Sequence, residues 1–291
     1  MSHPEERRTH MFLCTRSFSL NRTYTLLRNY LRTNLGRFIQ EQNTENKNKT
    51  EHNPDTIKSD VHFYVCVQDF PWSGRRLGRC AVVGSGGILK NSSCGREIDS
   101  ADFVIRFNLA SINDSDVGLK TDLVTINPSQ IQREYKDLEK KPNPLVERVS
   151  VYGNASLVMP AFAYTFCTGL SIKTLKALHP IRPQQPVVFF SPYYLQTLDR
   201  FWKGRGLKSI RLSSGFMLIS TALELCEHVH VYGFWPFDTD LQDNPVPYHY
   251  YDLRRPSKRM HKMPEEFVRL LQLHSQGALT LHLRPCSSDA S

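Results

Sequence analysis

Apolar and polar positions change their spacing at about residue 78, and from there short apolar segments alternate with amphipathic ones. Five apolar segments have the length and the content of β-branched and aromatic residues that are typical of buried strands. They cover residues 80–84, 102–108, 122–127, 186–190 and 228–232. A further segment, 279–283, alternates between apolar and polar positions, which predicts an edge strand.

The amphipathic segments predict helices at 129–140, 194–203, 216–226 and 264–274. Helix-ending residues support these positions, because Asn127-Pro-Ser129 precedes the first helix, Gly204 follows the second, and Pro264 and Gly277 bracket the last. Strands that alternate with helices favour an α/β fold. We therefore expect a mainly parallel central sheet, flanked by helices in a Rossmann-like arrangement within a single domain.

The expected fold also indicates where a ligand would bind, because open parallel sheets bind ligands outside the carboxyl ends of their strands. Segments that follow a predicted strand or open a helix at that edge are therefore the candidate site. They are Gly84–Gly87, Asn108, Asn127–Ser129, Ser213–Gly215 and Trp235.

Residues 1–60 differ in composition from the rest of the chain. The segment 43–53 is polar and has no periodicity, which is typical of a flexible linker, and residues 11–35 mix apolar with basic side chains. We predict an N-terminal basic and linker region, partly disordered, over residues 1–60, and a folded domain over residues 61–291.

Composition and charge restrict the class of protein. The 291 residues are 40% hydrophobic and 22% charged, which is typical of a globular chain. No apolar run approaches the roughly 20 residues of a membrane helix. Lys and Arg number 37 against 28 Asp and Glu, for a formal net charge of +9. Such a basic chain fits either nucleic acid or an anionic small substrate. The densest basic run, 254–262, lacks interleaved aromatic residues for base stacking, which disfavours nucleic acid, and we interpret it as a solvated loop unless a site lies next to it.

Cysteines and glycosylation sequons favour a secretory compartment. Seven cysteines leave at least one outside an intramolecular pair, and no C-x-x-C motif supports a structural zinc site. Sequons of the form N-x-S/T begin at Asn21, Asn48, Asn91, Asn113 and Asn154. Such sequons, together with disulfides, are typical of lumenal or secreted proteins.

Two short motifs each allow a structural and a functional interpretation. Gly84–Gly87 either forms a tight turn or presents backbone N–H groups to a phosphate. A dinucleotide-binding loop would need a third glycine where Leu89 stands, and no P-loop lysine follows. Ser213–Gly215 either caps a helix or holds an anion at the helix start.

Histidines and polar aromatic residues concentrate between residues 230 and 270. Residues 248–252 bring five hydrogen-bonding side chains into one loop, and His261 precedes a predicted helix start. A loop histidine among carboxylates is a candidate general base, although most loop histidines are surface residues. His228 and His230 share one face of a strand, and without a third ligand nearby we interpret them as packing residues rather than metal ligands.

Four segments, taken together and in this order, resemble the sialyl motifs of animal sialyltransferases, which form glycosyltransferase family 29. Residues 80–122 resemble the long motif, 213–237 the short motif, 249–252 the third motif, and His261 with Glu265 the very short motif. The His-Tyr-Tyr-Asp sequence, the Met-Pro-Glu-Glu segment and Cys286 are similar to the α2,8 branch of the family.

The resemblance implies a catalytic domain that inverts configuration and needs no metal or other cofactor. Such enzymes transfer sialic acid from CMP-sialic acid to a hydroxyl of a terminal sialic acid on a glycolipid or glycoprotein. By the same resemblance, His261 would be the general base and His249 would hydrogen-bond the CMP phosphate. The donor would be bound by Ser85, Asn108, Ser213, Ser214, Gly215 and Trp235.

The resemblance also implies two disulfides, Cys80–Cys226 and Cys94–Cys286. Both close long loops, which is worth about 4–5 kcal/mol each in the chain-entropy model. Cys14, Cys66 and Cys167 remain outside these pairs. Three residues depart from the family pattern, namely Ser85 in place of Asn, Ser214 in place of Thr, and Tyr248 in place of His. The shorter Ser85 side chain is expected to lose a nucleotide contact worth about 1 kcal/mol.

Location and partners follow from the family rather than from visible sequence features. Members of the family reside in the Golgi lumen and are anchored by an N-terminal membrane helix, which this sequence does not show. The family leaves a homodimer as an open alternative for this protein. A catalytically weak relative that only binds sialylated glycans is an alternative, because Ser85 departs from the pattern. An oxidoreductase with a nucleotide cofactor is disfavoured by the missing third glycine.

Overall fold

The computed structural model describes residues 77–190, 192–252 and 262–286. These ranges contain seven strands that form one sheet. The strands are β1 (Leu77–Val83), β2 (Phe103–Arg106), β3 (Leu123–Thr125), β4 (Ser156–Met159), β5 (Val187–Phe189), β6 (Cys226–Tyr232) and β7 (Thr280–His282). Their order is β5-β4-β3-β2-β1-β6-β7, and every neighbouring pair is parallel.

Helices flank this sheet and connect most of its strands. They are α1 (Gly95–Asp99), α2 (Pro128–Glu134), α3 (Asn143–Ser150), α4 (Thr165–Leu178), α5 (Pro192–Gly204), α6 (Ser214–Leu225) and α7 (Met263–Ser275), with a short 3₁₀ helix at Gly87–Leu89. The predicted α/β class with a parallel sheet is confirmed, and the predicted edge strand forms β7 at one end of the sheet.

Most of the predicted elements are present in the structure, with one wrong boundary and four elements that were missed. The helix predicted over 129–140 ends at Glu134, because Leu138 is the only buried residue in the polar segment that follows. Strand β4 and helices α1, α3 and α4 were not predicted. His261 and the proposed 1–60 region lie outside the described residues. None of the helices in the described ranges is both long and apolar enough to span a bilayer.

Both predicted disulfides are confirmed. Cys80–Cys226 joins β1 to the first residue of its neighbour β6, and Cys94–Cys286 joins the residue before α1 to the segment after β7. Cys167 is a free, buried thiol whose pKa is raised by its burial. Cys14 and Cys66, which the predicted pairs also leave out, lie outside the described residues.

A chain of hydrogen bonds connects β6, β7 and α1. His230 Nδ1 lies 3.0 Å from His282 Nε2, and His282 Nδ1 lies 3.4 Å from Glu97 Oε1. The Tyr232 hydroxyl donates to the same carboxylate oxygen at 2.7 Å, and its ring stacks on His282. Burial is the main cause that lowers the pKa of His282 to about 4, and the Glu97 carboxylate opposes this effect.

We expect His282 to make the stability of the fold depend on pH. The unfolded chain binds a proton at the ordinary histidine pKa of about 6.5, whereas the folded chain binds it only near 4. The stabilisation is therefore complete above pH ~6.5 and is lost as the pH falls toward 4. His282→Phe, which retains a ring against Tyr232, should flatten this decline in thermal unfolding measured from pH 7 to 4.5. The exposed His228→Gln is the control and should keep the slope of the parent; an unchanged slope in His282→Phe would contradict this account.

Candidate active site

The sheet has one topological switch point, between β1 and β6. The chain proceeds from β1 through β2, β3, β4 and β5 on one side, and then returns to the other side of β1 as β6. Ligands of open parallel sheets bind in the crevice that forms at such a point. The segments that leave β1 and β6 there are Gly84–Gly87 and Gly233–Trp235.

The two segments at the switch point are in direct backbone contact. Gly84 N–H donates to the Tyr232 carbonyl at 2.7 Å, and Gly86 N–H donates to the Gly233 carbonyl at 2.8 Å. A Cβ atom on Gly84 or on Gly86 would lie 2.6 Å from the Gly233 carbonyl oxygen. Close approach of two backbones therefore requires these glycines, whether or not a phosphate also binds there.

The predicted site residues Ser85 and His249 lie in adjoining segments. Gly86 forms an antiparallel bridge with His249, and Tyr250 N–H donates to the Ser85 carbonyl at 3.1 Å. A side chain on Gly87 would collide with the Pro247 carbonyl, which a Cβ atom would approach to 1.7 Å. The segment 247–250 thus packs against the loop after β1, and this contact places His249 beside the switch point.

A carboxylate and an aromatic ring fix the orientation of His249. Its Nδ1 atom lies 2.9 Å from Asp252 Oδ1. The Tyr251 ring stacks on the imidazole, with the centroids 5.1 Å apart and an angle of 8° between the planes. Because Asp252 engages Nδ1, the other ring nitrogen, Nε2, is the atom that can act on a ligand. Sequence analysis identified His249 but assigned no role to Asp252.

A buried positive charge lies near the same segment. The Arg106 side chain is 1% exposed, and its Nε and Nη2 groups donate to the Lys120 carbonyl, while Nη1 has no partner among the described residues. Burial lowers the pKa of this guanidinium, and Tyr250 and Asp99 oppose that effect. The Tyr250 hydroxyl donates to the Ser111 carbonyl, and burial raises its pKa. Arg106 therefore interacts electrostatically with Tyr250, the residue that follows His249.

Polar side chains connect the ends of β2 and β3 to the start of α6. Asn108 has a left-handed backbone with a φ of 53°, which asparagine tolerates better than most residues. Its N–H donates to Thr125 Oγ1 at 3.0 Å, and its Oδ1 atom accepts from Asn127 N–H at 3.1 Å. Ser214 Oγ donates to Asn127 Oδ1 at 3.0 Å. Asn108 and Ser214, both predicted, thus share a network with Asn127.

Ser213, the N-cap residue of α6, is buried and makes its hydrogen bonds to other groups of the protein. Its Oγ atom accepts from Phe216 N–H at 3.1 Å, as a helix N-cap does. The Ser213 hydroxyl and N–H both donate to the carboxylate of Glu266, at 2.5 and 2.7 Å. Glu266 is 3% exposed, and sequence analysis missed it because it assigned Glu265 to the motif. Glu265 instead accepts from Lys262 near the surface.

Gly215 and Trp235 lie on the side of the site that faces α7. A Cβ atom on Gly215 would lie 2.5 Å from Phe234 Cε1, so a bare backbone is needed for this packing. Trp235 donates from Nε1 to the Thr239 carbonyl at 2.7 Å, and its ring makes an edge contact with Phe267. These aromatic rings line a small apolar pocket together with Phe216 and Leu270.

One group of potential metal ligands lies elsewhere in the described residues. Glu97, His282 and Cys286 present ligand atoms within 4.8 Å of one another. Cys286 is bonded to Cys94, so its sulfur is not a thiolate. The two remaining donors are fewer than the three or four protein ligands typical of zinc sites.

We expect Glu266 to stabilise the start of α6. Glu266→Ala would leave the buried Ser213 N–H without its acceptor, and the free energy of unfolding should fall by about 2–4 kcal/mol. Glu266→Gln keeps one carbonyl acceptor and should lose less. The measurement is urea denaturation, with the neighbouring surface variant Glu265→Ala as a control whose midpoint should hardly change. Equal midpoints for Glu266→Ala and Glu265→Ala would be the contrary result.

Comparison with known proteins places these residues in a family. The profile of glycosyltransferase family 29 (sialyltransferase) matches residues 13–278. The alpha-2,8-sialyltransferase 8F of Mus musculus is 46% identical over 223 residues, which are 76% of this chain and 55% of that protein. The alpha-2,8-sialyltransferase 8E of Homo sapiens is 42% identical over 258 residues, 86% of this chain and 68% of that protein. The chain thus spans little more than half to about two thirds of these curated relatives.

The same fold occurs in a solved structure. A crystal structure of a mammalian sialyltransferase superposes with a TM-score of 0.57 at 21% identity, covering 96% of each chain. This likeness shows the fold, and the profile match and the curated relatives show the family. The chain belongs to glycosyltransferase family 29, the sialyltransferases.

Proposed function

We propose that this protein is an α2,8-sialyltransferase, which transfers sialic acid from CMP-sialic acid to a terminal sialic acid of a glycolipid or glycoprotein glycan. The observation that carries the proposal is the contact between the loop after β1 and the segment that holds His249, at the switch point of a parallel sheet. The names of the curated relatives, alpha-2,8-sialyltransferases, support the linkage.

The proposed reaction inverts the configuration at C2 of the transferred sugar. The bond from C2 to the phosphate oxygen of CMP breaks as the acceptor hydroxyl oxygen attacks from the opposite face, through an oxocarbenium-like transition state. The acceptor hydroxyl gives its proton to a base, and CMP leaves with the bonding electrons. The protein must therefore supply one base and a group that stabilises charge on the leaving phosphate.

We assign these tasks to two histidines. His261 is the proposed general base, by its place in the very short motif. His249, as the imidazolium, is proposed to donate to the phosphate through Nε2 while its Nδ1–H donates to Asp252.

The remaining contacts with CMP-sialic acid are proposed along the carboxyl edge of the sheet. Ser85 and Asn108 would contact the nucleotide, and Ser214 and the backbone N–H groups at the start of α6 would face the sugar or phosphate. Ser213 and Gly215 would support these contacts from behind, since the Ser213 hydroxyl already donates to Glu266. Trp235 would border the nucleotide on the side of α7.

Cofactor and location are part of the proposal. The reaction as written needs no metal, because a histidine and a helix start serve the leaving phosphate. Two disulfides are typical of an oxidising compartment, which supports lumenal residence in the Golgi apparatus. Membrane association and a homodimer remain expectations from the family.

Purified protein should transfer sialic acid from CMP-sialic acid to sialylated acceptors in the presence of EDTA. His261→Ala should lower the rate about 10²-fold or more, because a general base contributes on that scale. His228→Ala, at an exposed histidine of β6, is the matched control and should retain the parent rate.

Three outcomes of this assay count against parts of the proposal. Equal rates for the parent and His261→Ala would remove His261 from the mechanism. Binding of CMP and of sialylated glycans without transfer would favour the alternative of an inactive, glycan-binding relative, which Ser85 suggests. A need for added metal would contradict the metal-free reaction.

Asp252 should act as a positioning residue for His249. Asp252→Ala removes the partner of Nδ1, so kcat should fall about 10-fold or more while KM for CMP-sialic acid changes little. Asp252→Asn retains an oxygen that can accept from Nδ1–H and should lie between the parent and the alanine variant. If both variants raised KM for the donor and left kcat unchanged, Asp252 would not act through the orientation of His249.

A further inference from the structure

Two consecutive residues after β2 have a left-handed backbone. The φ angles of Asn108 and Leu109 are 53° and 47°. Asparagine tolerates this region, but leucine rarely adopts it, because its Cβ atom then lies too close to the following carbonyl oxygen. Residues strained in this way persist only where surrounding contacts hold them, and they cluster at functional sites. The turn that carries Asn108, a proposed contact with the nucleotide, therefore needs support from the rest of the protein.

Part of this support comes from the neighbouring strand β3 and the core. The Leu109 side chain is 2% exposed and belongs to an apolar cluster that includes Val124 of β3. The N–H group of Leu109 donates to the Thr125 carbonyl at 3.1 Å, and that of Asn108 donates to Thr125 Oγ1 at 3.0 Å. These contacts engage the N–H groups and the apolar side chain of the turn, but not its carbonyl groups.

Arg148 of α3 holds the turn through a carbonyl group. Its guanidinium donates to the Leu109 carbonyl from Nε, at 3.0 Å, and from Nη2. The Nη2 group also donates to Ser111 Oγ at 3.3 Å. A guanidinium presents its donors in a rigid, planar geometry, so two of them on one oxygen fix its direction. Because rotation of the Leu109 backbone would move this carbonyl away from both donors, Arg148 holds the residue in its strained conformation.

Two tyrosine hydroxyl groups bind the carbonyls that follow. The hydroxyl of Tyr152 donates to the Ala110 carbonyl, and that of Tyr250 donates to the Ser111 carbonyl. Burial raises the pKa of both phenols, so both retain the protons that they donate. Three side chains thus donate to three consecutive carbonyl groups. We call these side chains, Arg148, Tyr152 and Tyr250, the carbonyl clamp.

The carbonyl clamp connects two of the proposed contacts with the sugar nucleotide. Tyr152 follows α3, and the Arg148 guanidinium carbon lies 5.7 Å from the centroid of its ring. Tyr250 is the residue after His249, whose Nε2 atom is proposed to bind the phosphate. Asn108, the proposed nucleotide contact, directly precedes the first carbonyl of the clamp. One turn therefore relates the positions of Asn108 and His249.

We propose that Arg148 is a positioning residue for the nucleotide, which sets the direction of the Asn108 side chain by fixing the Leu109 carbonyl. This inference rests on the proposed function, in which Asn108 contacts CMP. Asn108 Oδ1 already accepts from Asn127 N–H at 3.1 Å. Its amide nitrogen has no acceptor in the described part of the chain and is the group that would donate to the nucleotide. A donor that is held in place binds its acceptor at a lower entropic cost.

The test separates KM for CMP-sialic acid from kcat, with 3′-sialyllactose as the acceptor. In Arg148→Ala the turn can leave its left-handed conformation. KM for CMP-sialic acid, and Kd for CMP from titration calorimetry, should then rise about 10-fold, the effect of one lost hydrogen bond. The values of kcat and of KM for 3′-sialyllactose should stay within about 2-fold. A merely structural role would instead reduce the folded fraction, which lowers the apparent kcat and leaves KM unchanged.

Two milder variants keep the test decisive if Arg148→Ala fails to fold. Arg148→Lys offers one flexible donor in place of a rigid pair, and it should raise KM for CMP-sialic acid about 3-fold. Tyr152→Phe removes one hydroxyl group, keeps the ring, and should have an effect of about the same size. Because both residues act on the same turn, the two effects should not be additive in the double variant. Full additivity would contradict a joint action.

Arg182 provides a matched control. Its Nη2 group donates to the Gly153 carbonyl at 2.6 Å, and Gly153 also has a left-handed backbone, with a φ of 62°. Gly153 precedes β4 and so lies at the amino edge of the parallel sheet, whereas Asn108 follows β2 at the carboxyl edge. Arg182→Ala should therefore leave KM for CMP-sialic acid and Kd for CMP unchanged, even where it lowers the melting temperature as much as Arg148→Ala does.

The outcomes separate this inference from the proposed function. If the parent transfers sialic acid, and the Arg148 variants leave KM for CMP-sialic acid unchanged or raise it no more than Arg182→Ala does, the inference is wrong and the function stands. If the parent transfers nothing, Kd for CMP decides. A Kd that rises in Arg148→Ala but not in Arg182→Ala retains the inference and rejects the transfer reaction. Equal Kd values, or no binding of CMP by the parent, reject both.

Discussion

The contact between the chain after β1 and the chain after β6 is the constraint on which the site depends. Gly84 and Gly86 each approach the Gly233 carbonyl so closely that a methyl group would not fit. The connections of these two neighbouring strands lead in opposite directions, so a crevice forms at this contact. The loop after β1 also forms the antiparallel bridge, through Gly86, that holds His249 beside the crevice. The Cys80–Cys226 disulfide joins the same two strands and stabilises their pairing.

Structure and function are divided between adjacent residues at the start of α6. Ser213 caps the helix and donates to the buried Glu266, so α7 and α6 are joined through one carboxylate. Ser214 instead connects to Asn127 and through it to Asn108, along the ends of the neighbouring strands. In consequence the first turn of α7 is tied to the helix start that is proposed to face the donor.

Sequence periodicity predicted much of the fold, and the reasons for its failures are local. Strand β4 is four buried residues without alternation, which periodicity cannot distinguish from a loop or a buried helix turn. The disulfides and most site residues came from resemblance to a family, and the structure added Asp252 and Glu266. Glu265 and Glu266 are equivalent in sequence, but successive helical residues point about 100° apart. Only the packing of α7 decides which carboxylate is buried.

A crystal structure of the protein with CMP would test the central claim most directly, because it locates the nucleotide without requiring turnover. The account predicts CMP across the β1–β6 switch point, with its phosphate within hydrogen-bond distance of His249 Nε2 and its nucleoside beside Asn108 and the loop of Ser85. Density for CMP elsewhere, for example only in the pocket between Trp235 and Phe267, would contradict it.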